Sequence, residues 1–455
     1  MKSVEPKLPG GFRDYLPEQM ISRQRILETV KRVYEKFGFV PLETPGVEFE
    51  STLTGNNPEF DMRIFQTSVG IGGKSNPTPV RYSPENSMAL RFDLTVPLAR
   101  VFAANPELKR PFKRYQIGQV WRGEKPQAGR FREFIQFDAD IVGSSSMLAD
   151  AEIVNLIYEV LSTLEVGGFM IKINNRKLLN GLPALANFPQ ESIQGVLRTL
   201  DKMDKIGFSE VKKELMESSS LTEESIESIK RFQDIQGSAA SMLQAAAQLF
   251  KDVAIAESGI SELQEIASAL KSLGVPEKNW CFDFSVARGL DYYTGPVFEA
   301  KLTELPNFGS VFGGGRYDGL ISRFDKNAKV PATGASVGVD RLFAALEKLG
   351  KIIPTKTLTK VMVMILDPSL KDKYLQIATS LRRNGVNTEL YLGEEMSFKA
   401  QFAYAVSSEI PLLVILGRKE VASGGIKLRN LSTRSERMVT FESLVEEVQK
   451  ELNIK

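Results

Sequence analysis

The sequence predicts a mixed α/β chain in which a sheet domain is interrupted by helices and followed by a small α/β domain. Strand-like apolar and aromatic runs lie on both sides of residues 185–275, a stretch rich in Ser, Ala, Glu, Lys and Leu with helical spacing. Beyond about residue 358, short buried strands alternate with helices, which is typical of a largely parallel sheet. We therefore expect a sheet domain in two parts, residues 1–184 and 276–350, a helical insertion at 185–275, and a final domain at 358–455.

The first part of the sheet domain is predicted to hold a helix, several short strands and a hairpin. Residues 1–20 are rich in Pro and Gly and irregular, and a helix then runs from about Ile26 to Phe37 and ends at Gly38. The further predicted elements are a strand at 39–45, short strands and polar loops over 51–100 with one loop at 76–79, an antiparallel hairpin at 115–143, and an amphipathic helix at 150–165.

The remaining chain is predicted from the same kinds of pattern. We favour a separate insertion at 185–275 over a helical continuation of the same domain, because strand-like sequence resumes at Trp280. A boundary falls near 350–358. The final domain is predicted to contain strands at 361–366, 388–392 and 412–416, helices at 371–384 and 398–407, two further strands, and a closing helix at 443–452.

Composition limits the function without fixing it. The chain has 455 residues, of which 42% are hydrophobic and 25% charged, with a net charge of +2, so total charge neither demands nor excludes a nucleic-acid partner. Cys281 is the single cysteine and there is no histidine, which excludes intramolecular disulfides, Cys/His metal clusters and His-dependent catalytic triads. No signal peptide or membrane-length apolar run is present. We expect a cytoplasmic protein that does not enter a membrane.

The segment 284–300 is the most informative stretch of the chain. Val286, Phe298 and the neighbouring aromatic residues are expected to be strand residues at the centre of a sheet, yet Arg288 and Asp291 lie among them. Burying either charge is costly without a partner or a ligand. A buried Arg–Asp pair that only braces the sheet is the alternative to a functional site, and this segment alone does not decide between them.

The predicted hairpin carries charges that suit a nucleotide. Arg122, Lys125, Arg130 and Arg132 alternate with aromatic residues in its loop, and guanidinium groups bind phosphate while aromatic faces stack on bases. On the returning strand, Gln136, Asp138 and Asp140 are spaced two apart, so their side chains point the same way. Taken alone, a plain exposed charged hairpin explains this segment better.

Three further segments each give a weak signal. In 307–320, three consecutive glycines allow close backbone approach to a ligand or a strand, and a simple bulge explains them equally well. In 331–346, Asp340 and Arg341 stand at a strand–helix junction, where an Arg can reach a phosphate or an adenine ring. In 90–97, Asp93 and Thr95 are expected on one face of a strand, where they could hold an ammonium group or lie on the surface.

Together, in this order, these segments resemble the histidyl-tRNA synthetases, a family of class II aminoacyl-tRNA synthetases. The run FVPLETP resembles class II motif 1, WRGEKPQAGRFREFIQFDADIVG resembles motif 2, and GASVGVDRL resembles motif 3. RGLDYY and GGGRYDGL resemble two signatures peculiar to the histidine enzymes. The resemblance covers nearly the whole chain. It implies an antiparallel sheet with flanking helices as catalytic domain, a C-terminal anticodon-binding domain and a homodimer.

The resemblance also implies a reaction and its participants. L-Histidine and ATP would form histidyl-adenylate, with Mg²⁺ on the phosphates, and the histidyl group would pass to the 3′ end of tRNA(His). By resemblance, Arg122 and Arg288 contact the α-phosphate from two sides. The positions that would hold the adenine and outer phosphates are Glu124, Arg130, Arg132, Phe134 and Arg341, and no protein-held metal site is implied.

For the amino acid, the resemblance places Asp93, Thr95 and Gln136 at the ammonium group. It places Asp140 and Tyr293 at the imidazole, with Tyr317 nearby. Positions 93 and 140 are Glu in part of the family, so the shorter side chains here change the distances and keep the charge. Some relatives are inactive regulatory subunits of histidine biosynthesis, and this alternative predicts loss of Arg122, Arg288 or the C-terminal domain, which the chain retains. A pure RNA-binding module does not explain the clustered acidic, aromatic and arginine signatures.

Overall fold

The structure is a computed structural model that describes residues 3–55, 64–67, 87–126, 129–200, 202–219, 221–287 and 292–454. These residues form two compact units, one of Met1–Arg13 with Ile26–Ile352 and one of Asp14–Arg25 with Ile353–Lys455. The predicted loop at 76–79 lies outside the described residues. No helix in the described ranges is long and apolar enough to cross a membrane.

The regular elements are numbered in chain order. The strands are β1 (Val40–Pro41), β2 (Val47–Phe49), β3 (Gln66–Thr67), β4 (Met88–Leu90), β5 (Phe112–Trp121), β6 (Glu133–Val142), β7 (Phe169–Asn175), β8 (Trp280–Phe282), β9 (Pro296–Leu302), β10 (Phe312–Arg316), β11 (Ala332–Gly338), β12 (Val361–Val363), β13 (Thr388–Leu390), β14 (Leu412–Ile415), β15 (Ile426–Asn430) and β16 (Glu436–Val439). The helices are α1 (Pro17–Lys36), α2 (Glu50–Thr54), α3 (Thr95–Ala104), α4 (Met147–Thr163), α5 (Arg176–Asn180), α6 (Leu182–Ala186), α7 (Ile193–Leu200), α8 (Met203–Ser219), α9 (Glu223–Gln233), α10 (Ala239–Leu249), α11 (Ala254–Ser272), α12 (Val339–Lys348), α13 (Lys371–Arg383), α14 (Phe398–Ser407), α15 (Arg418–Ala422) and α16 (Leu444–Leu452).

The first unit is built on an eight-stranded sheet of order β1-β5-β6-β11-β10-β9-β7-β8. The pairs at the two edges are parallel, and every pair between them is antiparallel. This confirms the predicted antiparallel sheet and the predicted hairpin, which is β5–β6. A small three-stranded sheet, β2-β4-β3, accompanies it.

The predicted helices of this unit are present because their apolar spacing buries one face. In α1, Ile26, Val30 and Val33 are buried, and Gly38 follows the helix with a φ of 79° that favours glycine. In α4, the Ser146 hydroxyl caps the helix by accepting from the amide of Leu148 at 3.2 Å.

The described residues between 185 and 275 are mainly helical, as predicted, from the end of α6 to α11. Side-chain caps start two of these helices: Thr222 accepts from the amide of Ser225, and Ser238 accepts from the amide of Ser241. These helices belong to the first unit, and α11 packs against α4 and α5. Their separation as an insertion domain stays a prediction.

The second unit contains a five-stranded sheet of order β13-β12-β14-β15-β16. β12 pairs parallel with β13 and β14, whereas β14–β15 and β15–β16 are antiparallel. The predicted strands and helices are present, but the sheet is mixed rather than largely parallel, because the last two strands follow β14 without the long helical crossover that parallel pairing needs. Tyr374 of α13 lies in its core and is fully buried.

Candidate functional site

The strand register of the large sheet places the predicted acidic residues together. Asp140 of β6 lies opposite Arg114 of β5 and Gly334 of β11. Two residues earlier, Asp138 lies opposite Gln116 and Ser336. Asp138 and Asp140 are 2% and 3% exposed, so the returning strand of the hairpin carries two interior carboxylates rather than an exposed charged face.

Asp140 is held from two sides. The hydroxyl of Tyr317 donates to its Oδ1, and Arg114 forms an ion pair with its Oδ2 at 2.9 Å. Burial raises the pKa of Asp140, and the Arg114 guanidinium opposes that rise. The close approach of β11 depends on glycine, since a Cβ on Gly334 would lie 2.1 Å from Asp140 Oδ1. The sequence prediction that Asp140 and Tyr317 belong to one pocket is consistent with this contact.

Asp93 and Thr95 do not lie on a strand, so that expectation is wrong. β4 ends at Leu90, and Thr95 is the first residue of α3. Asp93 Oδ1 accepts from the amide of Val96 at 3.1 Å, because a short carboxylate just before a helix satisfies a free N–H of its first turn. The signal was present in the sequence DLTVP, in which Pro97 also suits a first turn. Both side chains are nevertheless buried.

The remaining environment of Asp93 is aromatic. The Tyr292 hydroxyl donates to its Oδ2 at 3.3 Å. The ring of Tyr292 packs edge-to-face on Tyr293 and Tyr317, with centroids 5.0 and 5.8 Å apart. Burial raises the pKa of Asp93 to about 6, opposed by the Val96 amide and by the charge of Arg122. Burial also raises the pKa of Tyr293, so these phenols act as neutral hydrogen-bonding groups.

Gln136 lies two residues before Asp138 in β6, on the same face of the strand. Its amide nitrogen donates to the Ser336 hydroxyl at 3.0 Å. Its Oε1 and the Oδ1 of Asp138 are buried with no hydrogen-bond partner among the described residues. Burial raises the pKa of Asp138 to about 7. Because unpaired buried polar atoms are costly, these two oxygens mark a place that suits a ligand or water.

The predicted nucleotide residues are grouped around the hairpin loop. Arg122 lies over the Phe134 ring at 5.2 Å, and its Nε donates to the carbonyl of Phe92 at 3.1 Å. Glu124 forms an ion pair with Arg130. Arg132 Nε donates to the Glu124 carbonyl at 3.1 Å, and its Nη1 donates to the Gly10 carbonyl at 3.2 Å. The loop is therefore tied to the N-terminal segment through Arg132.

Arg341 and Asp340 stand at the junction of β11 and α12, as predicted. Arg341 Nη1 donates to the carbonyl of Ser310 at 3.1 Å. Asp340 instead accepts from the amide of Ile135 at 2.6 Å, so it fastens the start of α12 to β6.

Arg288 and Asp291 lie outside the described residues, so the buried-pair alternative stays open. Within the same segment, Phe298 lies in β9 as expected. Val286 is buried but lies in the connection between β8 and β9, not in a strand. Apolar residues that pack in a connection give the same local pattern as a short strand.

Sequence reasoning missed Arg114 and gave Asp138 no role. Arg114 is fully buried, but its place beside Asp140 depends on the exact register of the hairpin, which the alternating pattern does not fix. The run KRYQIGQVW gives one usable signal: in a strand that alternates faces, an Arg at the position of an inward residue needs a buried partner.

Arg316, in the GGGRYDGL run, has a different task. It forms a buried ion pair with Asp150 of α4, and it donates to the carbonyls of Ser144 and Ser146. Asp318 accepts a further bond at 3.2 Å. The contacts with Asp150, Ser144 and Ser146 fix the start of α4 against the sheet, so this arginine braces the fold.

Comparison with known proteins agrees with this architecture. A family model described as histidyl-tRNA synthetase matches residues 11–342, and a model described as anticodon binding domain matches residues 360–451. A histidine–tRNA ligase of Rhodopirellula baltica is 39% identical over 453 residues, covering 98% of this chain and 99% of that protein.

Two solved structures are similar over most of the chain. The crystal structure of a histidyl-tRNA synthetase from Nostoc has a TM-score of 0.83 at 32% identity, covering 99% of this chain and 100% of that one. A protein from Bacillus halodurans described as an ATP phosphoribosyltransferase regulatory subunit/histidyl-tRNA synthetase has a TM-score of 0.71 at 23% identity, covering 89% and 97%. At that identity the second likeness is one of fold alone.

Proposed function

The chain belongs to the histidyl-tRNA synthetase family, and from this premise we propose how its residues carry out the reaction of a histidine–tRNA ligase. It activates L-histidine with ATP to histidyl-adenylate and transfers the histidyl group to the 3′ end of tRNA(His). In the first step, the histidine carboxylate attacks the α-phosphate of ATP, and pyrophosphate leaves. In the second, the 3′-terminal ribose hydroxyl of the tRNA attacks the acyl carbon.

One observation supports the histidine pocket most strongly. Gln136 Oε1 and Asp138 Oδ1 are buried without partners among the described residues, beside the Asp140–Tyr317 contact. A pocket with unused acceptors suits a substrate that brings an ammonium group and ring N–H groups. We assign the ammonium group to Asp93, Thr95 and Gln136.

We assign the imidazole to Asp140, Tyr293 and Tyr317. The carboxylate accepts from a ring N–H, and a neutral phenol can donate to or accept from the other ring nitrogen. Tyr317 already donates to Asp140, so the two groups form a preset pair. A site built to hydrogen-bond both ring nitrogens rejects amino acids that lack them, by roughly 10⁴-fold or more.

We assign the α-phosphate to Arg122 and Arg288. Negative charge develops there as the bond forms, so fixed guanidinium groups lower the barrier. The bond from Arg122 Nε to the Phe92 carbonyl and its position over Phe134 support a preset orientation. Glu124, Arg130, Arg132, Phe134 and Arg341 would hold the adenine and the outer phosphates.

Mg²⁺ would neutralise the outer phosphates. No group of three or more acidic, histidine or cysteine ligands occurs among the described residues, and Mg²⁺ bound through substrate phosphates and water needs only one or two carboxylates. We propose that the ion enters with ATP, bound through the phosphates and water.

Three further assignments rest on the family. We propose that residues 358–455 bind the anticodon arm of tRNA(His), that the chain is a homodimer through the motif 1 region, and that it acts in the cytoplasm. Sedimentation equilibrium of the purified chain tests the dimer. A monomer at micromolar concentration with full activity would contradict it.

The deciding experiment is histidine-dependent ATP–pyrophosphate exchange with the wild type, Arg288→Ala and the control Arg231→Ala. Arg231 lies in α9, where it contacts Ser228 on the surface. We expect exchange with histidine alone among the amino acids, loss of exchange in Arg288→Ala, and wild-type exchange in Arg231→Ala. A folded wild type without exchange would favour the regulatory alternative. Undiminished exchange in Arg288→Ala would show that our assignment of Arg288 is wrong.

A further inference from the structure

Arg114 is a fully buried arginine whose contacts lie at the predicted histidine pocket. It lies in β5, outside the segments that carry the family signatures, and its side chain is 0% exposed. A guanidinium cannot lose its proton in a protein interior, so burying it here requires compensation. The groups that compensate this buried charge therefore indicate the role of Arg114.

Its two polar contacts join two separate segments of the pocket. Nη2 lies 2.9 Å from Asp140 Oδ2, at the end assigned to the imidazole. The same nitrogen donates to the carbonyl of Leu94 at 3.0 Å. Leu94 lies between Asp93 and Thr95, the residues assigned to the ammonium group. Arg114 thus connects the two segments that must be a fixed distance apart to hold one histidine molecule.

The comparison with Arg316 argues against a purely structural role. Arg316 has carboxylate and carbonyl partners on several of its nitrogens, all on α4, the residues just before it, or its own turn. Arg114 Nε and Nη1 have no partner among the described residues. In an arginine that only stabilises the fold, we expect those donors to be hydrogen-bonded, because an unpaired buried donor is costly. The polar contacts of Arg114 are instead with Asp140 and the Leu94 carbonyl, both at the predicted pocket.

The charges around Arg114 point the same way. Asp138 and Asp140 lie on one face of β6, and among the described contacts Arg114 pairs with Asp140 and not with Asp138. Arg91 is also near Asp138, but its Nε and Nη1 donate to carbonyls of Gln119 and Thr44. Arg114 thus contacts Asp140 directly, the carboxylate that accepts from Tyr317, although its charge also opposes the rise in the pKa of Asp138.

We propose that Arg114 is a positioning residue that sets specificity for histidine. It fixes the Asp140 carboxylate for the imidazole and ties it to the backbone that carries the ammonium-binding residues. This inference rests on the proposed function and adds to it a residue that contacts neither ATP nor the reacting atoms.

The test compares Arg114→Gln, Arg114→Lys and the double variant Arg114→Gln/Asp138→Asn in the full chain. The double variant also removes the second buried carboxyl beside Arg114, so it leaves less buried charge uncompensated if the single variant folds poorly. Exchange kinetics give KM for histidine and for ATP separately. The analogue 1,2,4-triazolylalanine, whose ring presents its nitrogens differently, measures discrimination.

We expect Arg114→Gln to raise KM for histidine about 10- to 100-fold, because it removes the buried ion pair that holds Asp140, with KM for ATP within about twofold. Discrimination against the analogue should fall by at least about 10-fold, and Arg114→Lys should recover part of both effects. Arg316→Lys is the matched control, and its effect should be on thermal stability with little change in either KM.

Two outcomes would overturn the proposal. One is a folded Arg114→Gln, or a folded double variant, with wild-type KM for histidine and wild-type discrimination. The other is an equal rise in both KM values. If the wild type shows no exchange, the proposed function fails, and calorimetric titration with histidine still decides the role of Arg114. Unchanged affinity in the variants, or no binding by the wild type, would then refute it.

Discussion

Replacing Gly334 by alanine should displace the carboxylate that we assign to the imidazole of histidine. Gly334 lies opposite Asp140 across the β6–β11 pair. An added Cβ would lie 2.1 Å from Asp140 Oδ1, 2.6 Å from its Cγ and 2.7 Å from the carbonyl oxygen of Ala139. The carbonyl of Ala139 is backbone and cannot swing away, so β6 and β11 must separate locally. The side chain of Asp140 must also move, by about 1 Å or more, to reach an ordinary contact.

Oδ1 is the atom to which Tyr317 donates, so this movement breaks the preset pair. A misplacement of about 1 Å in a reacting geometry can cost about 100-fold in rate, which is about 2.7 kcal/mol. We expect Gly334→Ala to lower kcat/KM for histidine by about 30- to 100-fold while KM for ATP changes little. Steady-state ATP–pyrophosphate exchange with each substrate varied in turn measures both.

Gly313→Ala is the matched control. Gly313 lies in the neighbouring strand β10, and an added Cβ there meets nothing within 4 Å. Both variants should keep the far-ultraviolet circular dichroism of a folded chain. Gly313→Ala should also keep the wild-type melting temperature, whereas Gly334→Ala should lower it, because its Cβ clashes with the backbone of Ala139. A Gly334→Ala protein whose kcat/KM for histidine stays within twofold of the Gly313→Ala value would refute the reasoning, because the clash would then not reach the substrate.

Three further predictions concern stability, each measured by thermal or denaturant unfolding. Arg316→Met should destabilise the chain by about 3–5 kcal/mol, because it leaves the buried carboxylate of Asp150 unpaired. Adding Asp150→Asn should recover more than half of this loss. No recovery would contradict a stabilising ion pair between the two residues. Burial raises the pKa of Asp138 to about 7 in the folded state, whereas the unfolded chain has a pKa near 4. Between these pH values the folded state keeps the proton and the unfolded state releases it. The free energy of unfolding therefore falls as pH rises from about 4 to about 7. Between pH 5 and pH 8 the wild type should therefore lose about 3 kcal/mol relative to Asp138→Asn, and parallel pH profiles would show that the carboxyl does not titrate this way. Tyr374→Phe should cost about 1–3 kcal/mol of stability, because its buried hydroxyl accepts from two amides at 3.2 and 3.0 Å and donates to a carbonyl at 2.8 Å. Tyr404→Phe removes an exposed hydroxyl and should be nearly neutral. Equal effects of the two substitutions would contradict the argument.

The elements with long local patterns could be predicted from the sequence. The hairpin at β5–β6, the amphipathic helix α4, the helical content of 185–275 and the strand–helix alternation after residue 358 all follow from spacing within one segment. The signature runs were equally local, and they identified the family and most of the candidate site. Local steric and solvation preferences act over a few residues, so a single sequence records them well.

Errors arose where one short pattern fits two structures. DLTVP alternates like a strand, yet it is a helix start, because Asp93 can satisfy a free amide of the first turn. Val286 is apolar and buried, yet it lies in a connection. The final sheet is mixed because β15 and β16 follow by short connections, and strand direction depends on the length of the connection rather than on the strand sequence.

The sequence by itself determined the family, the order of the elements and the chemical groups available to the site. Only the tertiary structure decided which of those groups meet. Arg114 and Asp140 lie in the two strands of one hairpin, and its exact register sets them opposite each other. Gly334 opens the space for that carboxylate from a third strand. Pairing between distant strands is fixed by the packing of the whole sheet, in which a shift of one residue would turn each side chain to the other face.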